Sequence, residues 1–111
     1  MNKVEERFKD KGIMQSGGWF ILPKKDAMAL VEECEKESIG ILGIDGFFVH
    51  EDGRLEPSLE NTADFSYFPS QIPFLESKNP EVVNAKNVYE ASRAFLKEKD
   101  DKMYFEIVCD D

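Results

Sequence analysis

Between residues 40 and 49 the chain reads GILGIDGFFV, an apolar run interrupted by three glycines and one aspartate. Glycine weakens a strand interior and marks a bulge or a close backbone approach, and a buried carboxylate is costly unless its oxygens are bonded. A phosphate loop needs a strand, a glycine turn and then a helix, so that helix N–H groups complete the anion site. Here HEDGR follows, a turn centred on Asp52 and Gly53, and Leu55 then opens a second β-prone stretch. The run is therefore expected to be one strand of a hairpin, residues 39 to 49, with residues 54 to 57 as its partner. Gly43 and Gly46 should mark a bulge or a close approach, Asp45 should be bonded to local N–H groups, and Gly40 should terminate the preceding helix in a left-handed conformation. Bulges also re-aim side chains, which makes Asp45 a candidate for outward contact.

The remaining elements follow from periodicity. Residues 1 to 11 place Val4 and Phe8 at helical spacing ahead of the breaker GIMQSGG, and WFIL is apolar and β-prone up to Pro23. KKDAMALVEECEKES carries Ala27, Leu30, Val31 and Cys34 on one stripe, and NVYEASRAFLKEKDD carries Val88, Ala91, Ala94 and Phe95, with Asn87 or Asn84 as cap. KMYFEIVC is apolar at most positions on both faces, as a central strand requires. Between Pro57 and Asn79 no period persists, and a long ordered loop is expected. With 111 residues the chain is predicted to form one domain of α+β class, a mainly antiparallel sheet with two main helices packed on one face.

Charge narrows the function. The net charge is −9, which repels phosphate backbones and favours a basic protein as partner, so nucleic acid is not expected. Residues 44 to 76 hold seven acidic groups against Arg54 alone, and six of the thirteen aromatics, while both flanks are nearly balanced. Aromatic anchors inside a charged rim are the composition of a protein interface. The candidate partner-binding residues are Asp45, Glu51, Asp52, Glu56, Glu60, Asn61, Asp64, Phe65, Tyr67 and Phe68.

Catalytic chemistry finds little to work with. His50 is the chain's one histidine and stands beside the EDG turn, where it has no nucleophile to serve. Carboxylates such as Asp45 with Glu56 or Asp64 could hold Mg²⁺, yet no nearby cation would grip a polyanionic substrate. No enzyme activity, metal or cofactor is expected. A non-catalytic adaptor, a small-ligand module and a metal-dependent enzyme are the alternatives. Cys34 and Cys109 belong to no CxxC motif and are expected to be buried thiols, and no leader or membrane-spanning segment is visible, which favours a cytoplasmic monomer.

The stretch IGILGIDGFFVHEDGRLEPSLEN resembles the bacterial polymorphic-toxin immunity proteins of the family numbered forty. In that family an amphipathic helix leads into a Gly-Ile-x-Leu-Gly-Gly-Asp-like strand, a Gly-Arg turn, a proline and Asp-Asn-Trp. The likeness spans about Trp19 to Val108 and rests on Gly40, Leu42, Gly43, Asp45, Gly53, Arg54, Pro57 and Asn61. Ile44 stands where the pattern has a second glycine, and Glu60-Asn61-Thr62 where it has Asp-Asn-Trp. The resemblance implies a cytoplasmic antitoxin that occludes one toxin domain, commonly an enzyme acting on nucleic acid, without catalysis or cofactor.

Overall fold

The computed structural model describes residues 1–65 and 80–110. In chain order it contains α1 (Lys3–Phe8), a 3₁₀ turn (Lys9–Lys11), β1 (Ile13–Met14), β2 (Phe20–Pro23), α2 (Lys24–Lys36), β3 (Gly40–Val49), β4 (Leu55–Asp64), α3 (Pro80–Val83), α4 (Val88–Lys97) and β5 (Tyr104–Asp110). The fold is α+β: five strands in the order β1-β2-β5-β3-β4, every neighbouring pair antiparallel, with helices packed against them. β5 is central, as its apolar character on both faces requires.

Helices α1 and α4 begin where an asparagine side chain satisfies an otherwise unpaired N–H group, whereas α2 follows Pro23 without a side-chain cap. Asn2 accepts from the Glu5 amide at 2.8 Å while the Glu5 carboxylate accepts from the Asn2 amide at 2.9 Å, a reciprocal cap on α1. Asn87 accepts from the Glu90 amide at 2.9 Å and caps α4. The stripe Ala27, Leu30, Val31 and Cys34 of α2 is buried, as are Ala91, Ala94, Phe95 and Leu96 of α4. At the end of α2 the left-handed residue is Ser38 (φ 58°) and not Gly40, which lies inside β3. The Ile39 amide bonds back to the Cys34 carbonyl at 2.9 Å, which closes the helix two residues earlier than a Gly40 terminus would.

The helix-facing side of the sheet supplies Phe20, Leu22, Ile41, Ile44, Phe105 and Ile107 to one core with Leu30, Val31, Phe95 and Leu96. Strand alternation sends Asp45, Phe47, Tyr104 and Glu106 to the other face, where the Trp19 and Phe47 rings lie 5.7 Å apart. The partner strand of the hairpin is longer than residues 54 to 57: β4 continues to Asp64, so the first part of the loop expected between Pro57 and Asn79 is strand, and residues 66–79 of it lie outside the described residues. Pro57 is accommodated because β4 is an edge strand, where a missing N–H need not interrupt a ladder.

Candidate functional site

The β3–β4 hairpin is built from its turn outward. Gly53 (φ 89°) holds the left-handed position of the turn, with its amide on the His50 carbonyl and the His50 amide on the Arg54 carbonyl, each at 2.9 Å. Asp52 accepts from the Arg54 amide at 3.0 Å and from its Nε at 2.8 Å, and these bonds hold the Asp52 carboxyl below its ordinary value. Beyond the turn, His50 Nε2 lies 2.8 Å from Glu56 Oε1.

Gly43 and Gly46 both stand at irregularities of the ladder, in agreement with the sequence reading. Pairing with β5 shifts between Ile41 and Gly43, and pairing with β4 shifts between Asp45 and Gly46. Across that second shift β3 advances one residue while β4 passes from Ser58 to Thr62, so Leu59, Glu60 and Asn61 bulge from the edge. Asn61 Nδ2 donates to Ser58 Oγ at 2.8 Å and Thr62 Oγ1 to the Ser58 carbonyl at 2.9 Å, which braces the bulge. Leu59 at its tip is 91% exposed, an apolar side chain offered to solvent between two carboxylate-bearing segments.

The structure divides the candidate residues. Glu51, Asp52, Glu56, Glu60 and Asp64 are exposed along the turn and the edge strand, with Asn61 half-buried beneath the bulge. Phe65 is corrected: it is 3% exposed and packs in the domain's own core, with its amide on the Leu42 carbonyl at 2.7 Å, so it is no anchor for a partner. Tyr67 and Phe68 lie outside the described residues. Phe48 on β3 is 40% exposed and is, with Leu59, a large apolar side chain at the surface of the hairpin.

Asp45 departs from expectation in another way. It accepts no hydrogen bond among the described residues, and burial pushes its carboxyl above the ordinary range. It stands directly across from Glu106, whose carboxyl is pushed up by burial, with Asp45 and Glu5 adding to the shift. Like charges on facing positions of adjacent strands oppose pairing. A carboxyl raised in the folded chain adds no penalty at pH values where folded and unfolded forms are both protonated. The penalty sets in as pH rises through the unfolded value toward the folded one. Glu106→Gln should therefore raise the melting temperature by a few degrees at neutral pH, with the gain gone below about pH 3.5. An equal gain at both pH values, read by thermal denaturation, would assign it to packing instead.

Charge pairing separates the hairpin from the helical layer. There, Lys3 pairs with Glu37 at 2.6 Å, Arg7 with Glu33 at 3.3 Å, Lys9 with Glu6 at 2.9 Å, Arg93 with Glu35 at 2.7 Å, and Lys24 with Asp101 at 3.2 Å. Such exposed pairs add little stability, yet they cancel the local field. On the hairpin Asp52 meets Arg54 and Glu56 meets His50, whereas Glu51 and Glu60 have no cationic partner among the described residues. Position along the sequence had located the excess of acid; the pairing that leaves it uncancelled at one edge required the folded chain.

Other chemistries are less developed. Among the described residues no group of three or more His, Cys, Asp or Glu is arranged to hold a metal ion, and no helix is long and apolar enough to cross a membrane. A cleft of about 230 Å³ is lined by residues including Met1, Glu5, Trp19, Phe20, Leu30 and Glu106. It is smaller than the roughly 300–1,000 Å³ of typical small-ligand sites. Comparison with protein-family models, with curated proteins and with solved structures finds no match to this chain.

Proposed function

We propose that this domain is a bacterial immunity protein that neutralises a basic toxin domain by stoichiometric occlusion. The observation that supports this reading is the acidic turn and edge of the hairpin, where Glu51 and Glu60 are exposed with no cationic partner among the described residues, whereas Glu33, Glu35 and Glu37 of α2 and its C-terminus are each paired with lysine or arginine. An uncancelled acidic edge raises the encounter rate with a cationic surface and, once docked, forms charge-assisted bonds to Lys or Arg. Glu51, Asp52, Glu56, Glu60 and Asp64 supply that charge, Asn61 braces the bulge, and Leu59 and Phe48 supply apolar contact at its centre. Asp45, on the sheet face beside Glu106, lies inside the same hairpin but contributes from its flank.

In this reading the protein acts in the cytoplasm of the producing cell, shielding the toxin's cleft without turning over. The test is to express the C-terminal domain encoded by the reading frame immediately upstream, with and without this protein, and to score growth. Toxicity relieved by co-expression, together with a complex of equal stoichiometry, is the expected result. A harmless neighbour, or toxicity without relief, removes the immunity reading and leaves a non-catalytic adaptor as the better account of the same surface.

A further inference from the structure

Helix α2 ends above the beginning of β3. The chain reverses at Ser38, enters the sheet at Gly40, and places Ile41 opposite Cys109 of β5. Ile41 is 3% exposed and faces the helices, so Cys109, its neighbour on the same face, does as well. Cys34 lies on the buried stripe of α2, wholly enclosed, and its sulfur is 3.9 Å from that of Cys109, although the two residues are 75 positions apart in sequence. Neither is in a disulfide.

A disulfide bond is about 2.05 Å long, so closure needs the sulfurs to approach by roughly their present excess, a movement within reach of side-chain rotation and slight backbone adjustment. The partners stand on the main helix and the central strand, and a bond between them would span the principal helix–sheet contact and enclose the whole β3–β4 hairpin in a covalent ring. We propose that Cys34 and Cys109 form a reversible oxidation site, in which a peroxide converts the two thiols to an intramolecular disulfide tying α2 to β5.

The chemistry balances with hydrogen peroxide as oxidant. Cys109, the more accessible sulfur, attacks one peroxide oxygen as the thiolate; the O–O bond breaks and the departing oxygen leaves as water with the thiol proton. The resulting sulfenic acid is attacked by the Cys34 sulfur, the S–S bond forms, the S–O bond breaks, and the second oxygen leaves as water with the second proton. Two electrons pass from the sulfur pair to the peroxide. A dithiol reductant reverses the step by exchange.

The surroundings set its rate. The hydrogen bond shared with Cys34 and burial push the Cys109 thiol well above its ordinary value; Glu5 of α1 adds to this and the Asn2 side chain opposes it. Tyr89 of α4 donates to the Ile39 carbonyl at 2.9 Å, and burial, with Cys34, Glu35 and Cys109 adding to it, pushes its hydroxyl up. Thiolate is scarce at neutral pH, so oxidation should be slow there and accelerate by roughly tenfold per unit of rising pH.

The full-length chain is treated with hydrogen peroxide and followed by intact mass without reductant, thiol titration and thermal denaturation. Both thiols should disappear together with loss of the mass of two hydrogen atoms, and the melting temperature should rise by roughly 10 °C and return on adding dithiothreitol. Cys109→Ala should abolish the mass loss and the rise. Oxygen addition at a single sulfur, a bond between two chains, or a cross-link that does not raise the melting temperature overturns the proposal. This outcome is independent of what the acidic edge binds, since it is read on the isolated protein.

Discussion

Gly46→Val should unfold this domain or lower its stability by about 3–4 kcal/mol, equivalent to a fall of roughly 10–15 °C in melting temperature. A Cβ at position 46 would lie 2.5 Å from the Asn61 carbonyl oxygen, 2.9 Å from Asn61 Cβ and 2.9 Å from Met103 Cε. The first of these is backbone of the edge strand and cannot rotate away. The last belongs to a side chain 2% exposed in the core, so retreat in that direction is also closed. Valine adds two further methyl groups to that obstruction, and the only relief is to part β3 from β4 where the bulge begins. Thermal denaturation of the purified variant reads the loss directly. A midpoint within a few degrees of the parent would show that the bulge yields, and that Gly46 is there for another reason.

The double reversal Glu51→Lys with Glu60→Lys should weaken binding to a cognate toxin domain by roughly a hundredfold at low salt while leaving stability within about 1 kcal/mol of the parent. Both side chains are exposed and lack a cationic partner among the described residues, so the fold loses no ion pair when they are reversed. The complex, by contrast, would bring new lysines against the partner's own cations. Raising the ionic strength should shrink the difference, because screening acts over about 10 Å at 0.1 M salt. Glu35→Lys is the matched control: it breaks the Arg93 pair on the helical layer and should leave binding intact. Undiminished binding by the hairpin variant, measured by titration calorimetry or surface-immobilised toxin, would move the interface off this edge.

How much of this was legible in the chain alone depends on the range of the interaction concerned. The stripe of α2, the Asn87 cap of α4, the Asp52-Gly53 turn and the central position of β5 are local matters of period, capping geometry and composition, and reading them needs no knowledge of neighbours. The glycines at 43 and 46 likewise announce a ladder irregularity, because no side chain fits where backbones approach. β4 was largely missed because an edge strand exposed on both sides carries no alternation for a sequence pattern to show. β1 is two residues long and exists only by pairing with β2.

The candidate site divides along the same line. Residue types and their order determined that acid accumulates between positions 44 and 76 and that a turn sits within it. Tertiary structure alone decided that Phe65 turns into the core, that Asp45 confronts Glu106 without a hydrogen bond among the described residues, that Lys3, Arg7 and Arg93 pair with carboxylates of α2 and its C-terminus, and that Cys34 meets Cys109. Each of these is a contact between residues far apart in sequence. Its existence follows from strand register and helix docking, which the whole core selects together and no local pattern records.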